Sequence, residues 1–247
     1  MKRPNRKEEK KPSEIRLNRF IANAGVCSRR EADNLIVDGK IKVNGKVVTE
    51  MGYKVKKSDK VVYKGKQLKS ETHQYVLLNK PKGFVTTVKD PHAKHTVMEL
   101  VGKACDERIY PVGRLDRETT GLLLFTNDGD MAKKLTHPSH KIRKIYQVEL
   151  DKPLTKTDFD KILEGVQLDD GIAPVDEMAV LGDDARQVGI EIHVGRNRIV
   201  RRIFQYLGYK VKKLDRVMFA SLTKKNLPRG KFRHLNPKEV MALKGVR

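Results

Sequence analysis

Half of the net positive charge of this 247-residue chain sits in its first 72 residues, and that unevenness limits what the chain can fold into. The whole carries 53 Lys+Arg against 31 Asp+Glu, a formal charge of +22; residues 1–72 alone hold 20 basic and 9 acidic side chains. An excess of this size opposes compaction through self-repulsion unless a polyanion neutralises it. Nucleic acid is the first candidate partner and an anionic membrane surface the second. The division predicts a small basic module ahead of a larger, more balanced body, and 38% apolar residues are enough to build a core. No apolar run approaches the length that spans a bilayer, which weakens the membrane option. The N-terminus has basic residues but no apolar segment and includes Glu8, Glu9 and Glu14, unlike a secretory or transit peptide. Cys27 and Cys105 stand far apart, so neither a disulfide framework nor a zinc site is expected, and the chain reads as a reduced, cytoplasmic protein.

Residues 1–13 are charged, proline-punctuated and aperiodic, as in a disordered basic tail. A module at 14–63 follows. Leu17, Phe20, Ile21 and Ala24 recur at helical spacing before Gly25. Ser28-Arg29-Arg30-Glu31 has the pattern of a capping box, opening a second helix that buries Ala32, Leu35 and Ile36. Asn44-Gly45 between two β-prone runs signals a hairpin. Arg16, Arg19, Arg29, Arg30 and Lys42 fall off the buried positions and are the candidate nucleic-acid contacts. The Lys/Gly/Ser-rich stretch 64–72 reads as a linker.

The body, 73–247, is strand-rich. Val76–Leu78 and Leu122–Phe125 suit buried strands, while Tyr146, Val148 and Leu150, and again Val188, Ile190 and Ile192, alternate with polar neighbours. The fold class is therefore α+β, a two-helix and β-hairpin module followed by a mixed or antiparallel sheet packed on helices.

Two stretches are candidates for chemistry. After Gly195, Val200, Ile203, Phe204 and Leu207 share one helix face, with Arg198, Arg201, Arg202 and Gln205 opposite. Such a stripe is ordinarily solvated surface. Lys210, Lys212, Lys213 and Arg216 extend it with only Asp215 opposing, which favours a phosphate- or carboxylate-facing role. Gly113-Arg114-Leu115-Asp116-Arg117-Glu118-Thr119-Thr120-Gly121 is a charged loop ahead of a buried strand, where catalytic groups concentrate. Asp116 between two arginines could equally be a surface ion pair. Tyr146, read from alternation alone, is a structural tyrosine. His92, His95, His137 and His140 lack the cysteines or carboxylates of a metal site.

Residues 113–129, GRLDRETTGLLLFTNDG, resemble the catalytic signature of the ribosomal RNA pseudouridine synthases of the RsuA/RluB type. Asn79-Lys80-Pro81-Lys82-Gly83 resembles that family's early turn, Arg143–Val148 its tyrosine-bearing strand, and Gly195–Arg202 its late basic motif. The N-terminal module resembles an S4 RNA-binding domain. Two positions depart from the pattern: Val194 stands where Glu is common and Ile199 where Gln is common.

The resemblance implies isomerisation of uridine to pseudouridine in ribosomal RNA, 23S in preference to 16S, by a monomer without metal or other cofactor. Asp116 would act on the ribose by attack at C1′ or by removal of the 2′ proton. Tyr146 would stack on the uracil and Arg201 would pair with Asp116. Arg114 would brace the loop or meet phosphate, while Arg196 and Arg198 would contact RNA. The target nucleotide would have to leave its stack. A ribosome-assembly factor with S4-type contacts and no chemistry is the competing expectation, and DNA binding has less support because no groove-reading motif is present.

Overall fold

The protein was analysed as a computed structural model that describes residues 14–246; the expected tail at 1–13 lies outside the described residues. The chain divides into two compact units, Met1–Thr72 and His73–Arg247.

In the first unit, β1 (Ile15–Arg16) leads into α1 (Leu17–Asn23), and α2 (Arg29–Val37) packs against it. Ser28 and Glu31 form the expected capping box, each side chain accepting the other residue's backbone N–H. Leu17, Ile21, Ala32 and Ile36 are buried and Leu35 is half-buried. The hairpin joins β2 (Ile41–Val43) to β3 (Lys46–Val47), and its turn has positive φ at both Asn44 and Gly45, as a twist-matched two-residue turn requires.

The unit holds more strand than the sequence suggested. β4 (Lys54–Val55) pairs with β1, and β5 (Val61–Tyr63) and β6 (Lys66–Gln67) complete a sheet of order β3-β2-β5-β6. The stretch 64–72, expected as a linker, therefore carries a second hairpin, with Leu68 packed on the core and the Glu71 N–H bonded to Asn23 O. Its Lys/Gly composition reflects an exposed two-residue turn rather than a connection between units. Arg16, Arg29, Arg30 and Lys42 are exposed, whereas Arg19 is half-buried. Replacing Arg16 and Arg30 together by Ala is expected to weaken RNA binding and to lower the slope of log K against log salt by roughly 0.7–0.9 per lost phosphate contact. A titration series across salt concentrations checks this; an unchanged slope means that both arginines face only solvent.

In the second unit the strands are β7 (Tyr75–Lys80), β8 (Tyr110–Pro111), β9 (Thr120–Thr126), β10 (Lys144–Leu150), β11 (Val166–Leu168), β12 (Gly171–Ala173), β13 (Glu177–Leu181), β14 (Gln187–Ile192), β15 (Val211–Phe219), β16 (Leu222–Thr223) and β17 (Phe232–His234). The helices are α3 (Met98–Val101), α4 (Gly129–Thr136), α5 (Lys156–Glu164), α6 (Ile199–Tyr206) and α7 (Pro237–Gly245). The main sheet runs β13-β14-β10-β15-β9-β7-β17, with β8 on β9 and β16 on β15. Only β15 and β9 pair in parallel among its described strands. The expectation of an α+β fold with a mixed sheet holds.

The sheet has packed side chains on both faces, and its strands β7 and β9 are buried on both. One face packs Val76, Leu123, Phe125, Val148 and Ile190 against α5 and α6. The other packs Leu77, Leu122, Leu124 and Phe219 against α4 and α7. Double burial explains why Val76–Leu78 and Leu122–Phe125 are unbroken apolar runs rather than alternating ones. On α6, Ile203 and Phe204 are fully buried, each stabilising the fold by about 1.5–3 kcal/mol.

Candidate active site

Asp116 lies in the loop between β8 and β9, its side chain about one-third exposed. The loop has little regular structure of its own, and its backbone is held from outside. Thr86 Oγ1 donates to Leu115 O at 2.7 Å and accepts from the Leu115 N–H. Gly83 N–H donates to Arg117 O at 2.9 Å, and Arg117 Nε returns a bond to Gly83 O. Most of the anchoring comes from Lys80. This side chain is fully buried, and its ammonium donates to the carbonyls of Pro81, Asp116, Arg117 and Thr119 at 2.8–3.2 Å. Burial pushes its pKa down to about 8, against the opposing charges of Asp116 and Glu118.

Strand register explains why Lys80 reaches the loop and what else lies beside it. Lys80 pairs across to Gly121, Gly121 to Arg216, Arg216 to Tyr146 and Tyr146 to Ile190. Direct cross-strand neighbours project their side chains from the same face, with Cβ atoms roughly 4.5–5.5 Å apart. One transverse row thus carries Lys80, Arg216 and Tyr146 immediately where the Asp116 loop enters β9, and Tyr146 shares the core cluster of Leu115. Gly121 is the residue that permits the row. A Cβ there would stand 2.3 Å from Arg216 O, and its φ of +106° is one that glycine alone adopts readily.

A buried network fixes the loop's far end. Asp215 accepts from Thr120 Oγ1 at 2.7 Å and from Arg229 at 2.9 Å, and is bonded to Lys224 as well. Burial alone would raise its pKa, but Arg229, Lys224 and Thr120 together hold it at about 2. Arg229 also reaches Asn79 Oδ1 at 2.5 Å, tying β7, β9 and β15 together at the loop.

The basic motif divides in two. Arg198, at the N-cap of α6 with φ of +46°, stands 3.7 Å from Asp116 Oδ2. This corrects the expectation that Arg201 is the carboxylate's ion-pair partner. Arg201 instead donates to Val211 O at 3.1 Å, while its Nε is buried without a partner, and Asp116 and Glu118 are the carboxylates that act on its charge. The two arginines stand only three residues apart at the same helix start, a difference of role that spacing alone does not resolve.

Arg196 and Arg202 turn the other way. Arg196 donates to the carbonyls of Asp170, Gly171 and Ile172, and Arg202 pairs with Asp169 and Asp170. These two arginines clamp the tip of the β11–β12 hairpin. Arg196, expected on RNA, is partly exposed, with its guanidinium engaged by these carbonyls. Arg216, expected on a basic surface, is 3% exposed. Arg114 is exposed and makes no hydrogen bond or ion pair among the described residues, leaving its guanidinium open to a ligand. Tyr146 is buried in the core cluster together with Ile190 and Val148. Val194 and Ile199, the two departures in the motif, pack against or within that same cluster, which accounts for their apolar character. Among the described residues no group of His, Cys, Asp and Glu could hold a metal ion.

Residues 74–206 match the RNA pseudouridylate synthase family and residues 15–61 the S4 domain. The chain belongs to the RNA pseudouridylate synthase family. It is 43% identical over 235 residues to the ribosomal large subunit pseudouridine synthase B of Bacillus subtilis, covering 94% of this chain and 96% of that protein. It is 34% identical to the dual-specificity RNA pseudouridine synthase RluF of Escherichia coli, covering 94% of this chain and 79% of the relative. A crystal structure of a pseudouridylate synthase superposes with a TM-score of 0.64 at 30% identity, covering 93% of this chain and 99% of the other.

Sequence reasoning did not single out Lys80 or Thr86 in this pseudouridylate synthase, and it placed Arg216 only in an extended basic run. Lys80 lay inside a quoted motif, but nothing local distinguishes a buried lysine from the exposed Lys82 two residues on. Its lowered pKa has a measurable consequence. As pH rises through about 8 the ammonium loses its charge and one of its three N–H donors, leaving two to serve the four carbonyls. The single-turnover rate is expected to fall above about pH 8 and to be level just below it. The alkaline limb should persist in Lys144→Gln, whose native ammonium also titrates near 8, and should vanish in Lys80→Met. A limb retained in Lys80→Met assigns it to another group.

Proposed function

We propose that this enzyme converts one uridine of large-subunit ribosomal RNA to pseudouridine in the cytoplasm, with Asp116 acting on the ribose of an extruded nucleotide. The observation that carries the site assignment is the convergence of three strands on one loop: Lys80 holds the Asp116 backbone, and Tyr146 and Arg216 stand beside it in the same row. The choice of large-subunit RNA is supported by the name of the Bacillus subtilis relative, which aligns over nearly the whole of both chains. The exposed cations of the S4 domain suit phosphate contacts with folded RNA. A reduced compartment is supported by the two free cysteines, and among the described residues no helix is long and apolar enough to cross a membrane.

The chemistry needs a carboxylate at the sugar, a surface against which the detached base can turn, and cations that bind the phosphates on either side. Asp116 supplies the first and Tyr146 the second, while Arg114 and Arg198 are exposed enough for the third. Arg201, anchored through Val211, adds positive charge that acts on Asp116 without an ion pair to it. The test is a pseudouridine map of ribosomal RNA from cells with and without this protein. A single large-subunit position should lose its modification and regain it on complementation; loss confined to small-subunit RNA, or no loss, overturns the assignment.

A further inference from the structure

Arg216 is a buried cation whose charge the protein leaves unanswered. It is 3% exposed and forms no ion pair among the described residues. Its Nε donates to Leu122 O at 2.8 Å, its guanidinium lies 4.7 Å from the centre of the Phe219 ring, and its Nη2 is buried with no hydrogen-bond partner. A second cation is close enough to interact with it. Lys144, two residues before Tyr146 on β10, donates to Ile142 O and His193 O, and Arg216 contributes to pushing its pKa down to about 8 after burial itself. Burying a guanidinium with unfilled donors costs several kcal/mol, and a ring face and one carbonyl recover only part of it. Position gives the expense a purpose, because Arg216 is the direct cross-strand neighbour of both Tyr146 and Gly121.

We infer that Arg216 donates hydrogen bonds to a carbonyl oxygen of the extruded uracil and stabilises the base while it is detached. The inference rests on the proposed reaction. When the C1′–N1 bond breaks, its electron pair leaves with the base, giving a uracil anion whose charge spreads onto O2 and O4. The C5–C1′ bond then forms with a pair from the ring, the C5 proton departs and N1 is protonated, so atoms and electrons balance without a redox partner. A fixed guanidinium at a carbonyl oxygen holds the anion more strongly than the neutral base, which is the condition for lowering the barrier. If the contact is made at O4 it also opposes cytosine, whose amino group would set donor against donor there.

The test compares single-turnover rates on an rRNA fragment carrying uridine or 5-fluorouridine at the target, read as consumption of that nucleotide. Fluorine makes the base a better leaving group, so stabilisation by Arg216 matters less. Arg216→Gln should slow uridine turnover by about 10²-fold, with the RNA Kd unchanged within about twofold and a distinctly smaller deficit on 5-fluorouridine. Arg216→Lys, which keeps the charge, should recover part of the rate. If Arg216→Gln does not fold, the lysine variant carries the comparison, and its deficit must also shrink on the fluorinated RNA. Equal deficits on both RNAs, or a loss seen only in thermal stability and Kd, make Arg216 a structural residue and overturn the inference. A wild-type protein inert on both RNAs overturns the proposed reaction itself.

Discussion

Asp116→Asn is expected to abolish tritium release from 5-tritiated uridine in rRNA, by roughly 10³-fold or more, while leaving the fold and the RNA affinity nearly intact. The asymmetry follows from the geometry. The side chain is one-third exposed, and its contact with Arg198 is a 3.7 Å ion pair rather than a short hydrogen bond. Exposed pairs of this kind contribute roughly 0–1 kcal/mol, so the melting temperature of a protein this size should shift by no more than about 4 °C. Asparagine keeps the shape of the side chain and removes the charge, so a lost rate with an unchanged Kd locates the defect in the chemical step. Turnover comparable to the wild type would remove Asp116 from the mechanism, and with it the reading of the whole loop.

Lys80→Met should lower the single-turnover rate by about 10²-fold without any contact between Lys80 and substrate, because displacement of a catalytic group by an ångström carries a penalty of that order. The mutation takes the donor away from four carbonyls. Asp116 O and Arg117 O keep bonds from the N–H groups of Thr119 and Gly83, while the bonds to Pro81 O and Thr119 O have no such replacement. Unsatisfied buried carbonyls cost roughly 1–3 kcal/mol each, but removing a fully buried ammonium relieves its own desolvation. Stability should therefore fall by only about 1–3 kcal/mol, and denaturant unfolding beside single-turnover kinetics separates the two. A variant with wild-type kinetics would show that the loop holds its geometry without this anchor.

The disagreement between expected and observed partners of Asp116 has a simple origin. Arg198 and Arg201 are three residues apart, so they share a side of α6 and both can approach the same loop. Arg198 sits at the N-cap in a left-handed conformation, outside the regular helix, and that backbone geometry directs its side chain differently from an ordinary helical position. Arg201, within the regular helix, is caught by Val211 O. The basic stripe was legible; the direction of each guanidinium was not. Arg196 and Arg202 illustrate the same point, since their acceptors, Asp169 to Ile172, are more than 20 residues away in sequence.

Local rules were enough wherever the deciding interactions are local. The capping box at Ser28, the Asn44-Gly45 turn, the amphipathic α6 and the alternation of β10 and β14 all depend on neighbours within a few residues, and the loop around Asp116 was recognisable as a motif. Short polar strands such as β6 escaped because pairing with β5, not apolar content, makes them strands. The site itself belongs to the tertiary structure. Lys80, Gly121, Tyr146 and Arg216 come from four strands spread over 137 residues, and only the order β10-β15-β9-β7 with its register brings them into one row. Whether a lysine or arginine faces water, a carbonyl or a buried row is set by what long-range packing puts around it, and the hydration that charge must give up there is invisible in its sequence neighbours.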